Sequence, residues 1–176
     1  MPNYRRDRTP GGTYFFTVAL RDRSSTVLLD RIDDLRAAVR KTRHRMPFEI
    51  IAWAVLPEHM HCLWKLPEGD ADYATRWRMI KTRFSRCIPS ANTGNRSLQH
   101  RSEKGIWQRR YWEHRIRDES DLQAHADYIH FNPVKHGLCA QAIDWPHSTF
   151  THWVAAGRYA PEWGISEDAI KGNFGE

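Results

Sequence analysis

Between Phe48 and Leu66 the sequence reads FEIIAWAVL, then Pro57-Glu58, then HMHCLWKL. Two nearly continuous apolar runs joined by a two-residue turn bury both of their faces by pairing as a hairpin at the centre of a sheet, and no other feature constrains the fold as much. Thr13 to Leu20 (TYFFTVAL) follows Gly11-Gly12, is rich in aromatic and β-branched residues, and reads as a further strand; Ile106 to Ile116 has strand character again. Helical spacing fills the gaps. Asp30 offers an N-cap to a helix carrying Ile32, Leu35, Val39 and Thr42, and a second helix runs from about Asp72 to Ile88. Ser120 and Gln123 form a capping-box pair opening a third helix, which Pro133 is expected to stop at Phe131 or Asn132. The order β-α-β-β-α-β-α predicts an α+β fold, a ferredoxin-like or RRM-like antiparallel sheet with helices packed on one side. At 176 residues a single domain spanning 1–176 is expected, with 151–176 a short tail docking back on the body.

Charge is unevenly spread. From Arg76 to Arg117 there are twelve Lys or Arg against Glu103 and Glu113, whereas the rest of the chain is slightly acidic, within a total of +6. One face is therefore expected to meet a polyanion, although a basic solvated surface would give the same count. Trp77, Trp107, Tyr111 and Trp112 lie among these charges, and flat rings beside cations suit unpaired bases. The polar, basic stretch Pro89 to Gly105 reads as a mobile loop. Three scattered cysteines without a C-x-x-C pair argue against a disulfide framework and a thiolate zinc site. With no apolar run of about 18 residues, no membrane span is expected, and the protein should be cytoplasmic, associated with the nucleoid. A monomer is expected, with a homodimer left open.

Two sets of residues could carry chemistry. His59 and His61 are two apart on a strand, so both leave one face while Met60 enters the other, and two imidazoles on one face can hold a divalent metal. Ten histidines produce about 0.6 H-x-H triplets by chance, so a hydrogen-bonded pair of sheet histidines is the plain alternative. On the third helix Leu122, Ala126 and Ile129 form the core side, with His125, Tyr128 and Asn132 roughly 90° away. Tyr128 and Asn132 are neighbours at i and i+4. A phenol on that edge could act as nucleophile and an amide oxygen as third metal ligand; the alternative for Tyr128 is a semi-buried packing residue.

The segments LPEHMHCLW, GIWQRRYWEHRIRDESDL and HADYIHFNPVKHGL resemble the HUH single-tyrosine transposases, in the branch associated with repetitive extragenic palindromes. YRRDRTPGGTYFFTV and WPHSTF are similar to that branch as well, so the resemblance extends from about Tyr4 to Trp163. It implies the HUH endonuclease-type fold, His59 and His61 as metal ligands, Tyr128 as nucleophile and Mg²⁺ or Mn²⁺ as cofactor. It further implies a 5′-phosphotyrosine intermediate with a free 3′-hydroxyl. The implied substrate is a single strand folded into an imperfect hairpin with a short recognition sequence on its 5′ side. Insertion-sequence relatives have Gln four residues after the tyrosine, whereas this chain has the shorter Asn132. Arg109, Arg110, Arg115 and Arg117 are the first candidates for DNA contacts, and Trp107 serves either DNA or the core. Two other readings are a non-catalytic nucleic-acid-binding module and a zinc hydrolase using His59, His61 and His125 with water as nucleophile.

Overall fold

Every residue of the first strand except Thr13 and Thr17 is buried, which a strand achieves only when both of its faces are covered. The computed structural model describes residues 6–89, 105–164 and 174. Apart from its two ends, the stretch expected as a mobile loop between Pro89 and Gly105 lies outside the described residues. The strands are β1 (Thr13–Ala19), β2 (Glu49–Val55), β3 (His59–Lys65) and β4 (Trp112–Arg115). They form one antiparallel sheet in the order β2-β3-β1-β4. The central hairpin is as the sequence predicts: β2 and β3 meet at Val55 and Met60, and Leu56 N–H donates to the His59 carbonyl at 2.8 Å across the Pro57-Glu58 turn.

The helices are α1 (Val27–Asp30), α2 (Ile32–Arg45), α3 (Tyr73–Cys87), α4 (Glu119–Lys135) and α5 (Phe150–Ala155). They cover both faces of the sheet, not one. Against α2 and α3 lie Tyr14, Phe16, Val18, Met60, Cys62 and Trp64; against α4 and α5 lie Phe15, Ala52, Ala54 and Leu63. The alternation along β1 and β3 separates two apolar sets, and each needs its own cover. On the first side Trp64 stacks on Trp77, with ring centroids 4.2 Å apart. Truncating a ring at such a site costs roughly 3–5 kcal/mol, so this layer contributes strongly to stability. The end of the chain docks on the second side, where Phe150, Trp153, Tyr159 and Phe174 are buried.

Three local expectations are corrected. Asp30 does not start a helix but ends α1, its carboxylate accepting from the Thr26 hydroxyl at 2.7 Å, and α2 follows without a side-chain cap. The cap of α4 is Asp118, which accepts from Asp121 N–H at 2.8 Å, rather than Ser120. Pro133 does not stop α4. It forgoes one backbone bond to Ile129, yet the helix continues to Lys135 and ends at Gly137, whose φ of 67° suits a left-handed turn. Leu138 N–H then reaches the Pro133 carbonyl at 2.9 Å and Gly137 N–H the Val134 carbonyl at 2.9 Å, the pairing that closes a helix on a glycine. The strand expected over Ile106–Ile116 is regular only over β4, because the edge loops out beforehand. Trp107 pairs with Leu20 and Trp112 with Thr17, so the four residues from Gln108 to Tyr111 stand opposite only Val18 and Ala19.

Candidate active site

The sheet register sets the site. On β3, His59 lies opposite Ala19 and His61 opposite Thr17, so both imidazoles project toward α4, while Met60 packs on the α2 and α3 side. Both are buried, at 1% and 0% exposure, with ring centroids 4.9 Å apart. A neighbour orients each ring through Nδ1. The Glu58 carboxylate sits 2.9 Å from His59 Nδ1, and the Thr17 hydroxyl 2.9 Å from His61 Nδ1. Glu58 is itself paired with Arg23 at 3.4 Å. His59 Nε2 is left as a buried nitrogen with no hydrogen-bond partner among the described residues. Burial lowers the His59 pKa, outweighing the Glu58 charge that opposes it, so the neutral form, the one able to bind a metal, predominates at pH 7.

The helix α4 supplies the other half. Its residues Tyr128, Asn132 and Lys135 recur on one side, and the helix runs along the sheet toward the histidine end. The Tyr128 ring lies 5.1 Å from His61 and 6.0 Å from Phe15, at 2% exposure. Phe174 stacks on it at 4.1 Å, and Lys135 Nζ lies 5.0 Å from its centroid. At the end of the helix His136 packs against His59, 5.2 Å away. Asn132 is one turn from Tyr128 and one turn from His136, fully buried between them. Its backbone is helical and its carbonyl accepts from His136 N–H at 3.0 Å.

His125 is drawn elsewhere. Its Nδ1 is 3.1 Å from the Asp121 carboxylate, which also meets His114 Nε2 at 2.9 Å. The ligand atoms of these three residues all lie within 4.8 Å of one another. The two imidazoles, however, stack nearly parallel, 4.6 Å apart and 12° from coplanar, so one ion cannot lie in both ring planes. Phe15 touches both His61 and His125, at 5.6 and 4.8 Å. The zinc-hydrolase reading thus finds His125 engaged with Asp121 and not with the histidine pair.

Of the DNA candidates, Arg109 and Arg110 are exposed on the edge bulge at the histidine end of the sheet. Arg115 pairs with Asp7 at 2.9 Å, and Arg117 lies 3.4 Å from Asp121 at the far end of β4. Trp107 is half-buried on the α3 side, against Phe84 at 5.4 Å, with its N–H donating to Ser85 at 3.2 Å. Tyr111 accepts from Arg6 at 2.6 Å and packs on the α3 side. Lys81 is a feature the sequence did not single out: burial lowers its pKa to about 8, while its ammonium donates to the Gln108 carbonyl at 3.0 Å.

A family model described as "Transposase IS200 like" matches residues 12–132. The REP-associated tyrosine transposase of Escherichia coli K12 is 49% identical over 163 residues, covering 93% of this chain and 91% of that protein. A Haemophilus influenzae protein carrying the same family description is 48% identical over 176 residues, covering 99% of this chain and all of its own length. The solved structure of a REP-associated tyrosine transposase bound to a REP hairpin is similar with a TM-score of 0.80 at 46% identity, covering 99% of both chains.

Proposed function

The chain belongs to the IS200-like transposase family, and from that premise we propose that it cuts and rejoins single-stranded DNA folded into a palindromic hairpin, with Tyr128 as nucleophile. The observation that carries this reading is the Tyr128 ring 5.1 Å from His61, a helix-borne phenol brought to a sheet-borne pair of imidazoles. The hairpin substrate is supported by the REP hairpin held by the similar solved structure. His59 and His61 would hold a Mg²⁺ or Mn²⁺ ion, with Asn132 as the third ligand it would meet on the helix side. The donor set fits such an ion, since both Nδ1 atoms are occupied and the orphaned His59 Nε2 is a buried ligand atom. Once bound, the ion supplies Lewis-acid withdrawal of charge from a phosphate oxygen.

The chain's own groups do the rest. The Tyr128 oxygen attacks the scissile phosphorus and loses its proton. A bond from Tyr128 to the 5′-phosphate forms, the phosphorus to O3′ bond breaks, and the departing oxygen takes up a proton as a free 3′-hydroxyl. Attack by a 3′-hydroxyl on the phosphotyrosine reverses the step, so strands rejoin without nucleotide hydrolysis. The Lys135 ammonium beside the ring places positive charge where the phenolate forms. All these groups come from one chain, so the reading needs no second copy.

With labelled hairpin DNA carrying its single-stranded flank, the protein is expected to form an adduct that survives denaturing electrophoresis in Mg²⁺ or Mn²⁺. Tyr128→Phe should bind the same DNA within about twofold yet give neither adduct nor cut strand. Adduct at the unmutated level would move the nucleophile elsewhere. Cleavage without adduct would favour a hydrolase, and binding without cleavage a binding module.

A further inference from the structure

Where the edge strand leaves the ladder between Trp107 and Tyr111, one row of α3 takes over its support. Trp77, Lys81 and Ser85 stand one turn apart along that helix. The Trp77 ring lies 6.0 Å from Tyr111, and the Ser85 hydroxyl accepts from the Trp107 N–H at 3.2 Å. Lys81, between them, meets the middle of the bulge. Its ammonium donates to the Gln108 carbonyl at 3.0 Å and lies 5.6 Å from the Trp107 ring centroid and 5.3 Å from that of Tyr111. Both rings are within the roughly 6 Å at which a cation is drawn to an aromatic face, and a carbonyl takes a stronger hydrogen bond from an ammonium than from a neutral donor. Glu113 pairs with Arg6 at 3.7 Å, whereas Lys81 is held by the carbonyl and the two rings. On the sheet side Gln108 N–H donates to the Ala19 carbonyl at 3.0 Å, and pairing resumes at Trp112 opposite Thr17. The exposed Arg109 and Arg110 thus belong to a short span whose two ends, Gln108 and Tyr111, both meet Lys81.

Resting on the proposed binding of hairpin DNA, we propose that Lys81 is a positioning residue for the DNA: it ties Gln108 and Tyr111 to α3 and so holds Arg109 and Arg110 in a fixed presentation to the phosphates of the strand. A span already held in its bound shape loses less conformational freedom when the DNA arrives, so the two arginines bind phosphate at a smaller entropic cost. Lys81 acts through the bulge, its own ammonium being engaged by the carbonyl and the rings.

The test is a double-mutant cycle in a Tyr128→Phe background, so that no DNA is consumed, with affinity for labelled hairpin DNA measured over a range of salt. Lys81→Met keeps much of the side chain's length and removes its charge. It should weaken binding by roughly 2- to 30-fold, the range for a residue that acts on a ligand it does not touch, and flatten the slope of log affinity against log salt. Lys81→Arg should restore most of the loss, because a guanidinium still donates to the Gln108 carbonyl. With Arg109→Gln and Arg110→Gln already in place, Lys81→Met should have no further effect, since nothing is left to position. Without DNA, the Gln108 amide should exchange faster in Lys81→Met while the amides of α3 and β1 keep their protection. A full further loss in the Arg109→Gln, Arg110→Gln background would make Lys81 a direct phosphate contact and overturn the proposal. So would an unaltered affinity in Lys81→Met, or a loss of protection throughout the sheet, which would make Lys81 a residue of general stability. Adduct formation by the protein with native Tyr128, run alongside, reports on the strand-transfer site independently of these affinities.

Discussion

Asn132 shows how a single residue can be placed by its backbone. Because it sits within α4 with a helical carbonyl bond to His136, it is not the cap of that helix, and its side chain stays buried between the turn of Tyr128 and the turn of His136. If its amide oxygen completes the metal site, Asn132→Ala should raise the metal concentration needed for half-maximal cleavage about tenfold or more, with hairpin affinity nearly intact. A fall in melting temperature with an unshifted metal midpoint would instead make Asn132 a structural residue. At this scale the histidine pair and the Tyr128 edge were legible, since alternation by two and recurrence by 3.6 fix which side chains share a face. Trp107 and Trp112 were not distinguishable. Both lie among arginines, and only their pairing with Leu20 and Thr17 decides that the first packs against Phe84 while the second faces outward.

Tyr128 can be aimed only if α4 is fixed on the sheet, and a buried polar chain does this on the side away from the histidine pair. The Tyr159 hydroxyl donates to Asp127 at 2.6 Å, while His130 reaches the Thr149 hydroxyl at 2.8 Å through Nε2 and lies 3.4 Å from the Tyr159 hydroxyl through Nδ1. Rings of Phe150 and Trp153 close around His130, and burial lowers its pKa to about 3. In the unfolded chain the same imidazole titrates near 6.5. Between these values the unfolded state binds a proton that the native state refuses, so stability falls as the pH drops from about 6.5 toward 3. His130 alone should cost about 1 kcal/mol between pH 6 and pH 5. Urea melts at pH 7, 6 and 5 should therefore show a shallower acid loss in His130→Asn than in the parent, and parallel losses would refute the assignment. The elements themselves were readable from apolar stripes and strand runs. Which face each helix covers was not, because a strand buried on both sides carries no sign of which cover lies where. The end of α4 was misread because Pro133 forbids only one backbone bond, whereas Gly137 supplies the conformation that turns the chain away.

Across the whole molecule the basic excess is divided by geometry. Arg109 and Arg110 are exposed at the histidine end, whereas Arg115 is paired with Asp7 and Arg117 approaches Asp121. Hairpin binding should weaken steeply with salt, by about 10³–10⁵ between 50 and 200 mM if six to ten phosphates are contacted. Replacing Arg109 and Arg110 together by Gln should flatten the slope of log affinity against log salt by roughly 1.4 to 1.8, and the same change at Arg115 and Arg117 should flatten it less. Equal flattening would mean that the DNA crosses both ends of the sheet. The division of the site between layers has a further consequence, for the chain as it is made. His61 leaves the ribosome sixty-seven residues ahead of Tyr128, a lag of roughly 3–13 s at about 5–20 residues per second. Throughout that interval the growing polypeptide carries the histidine pair without Tyr128, and the two meet only when the last helices close over the sheet.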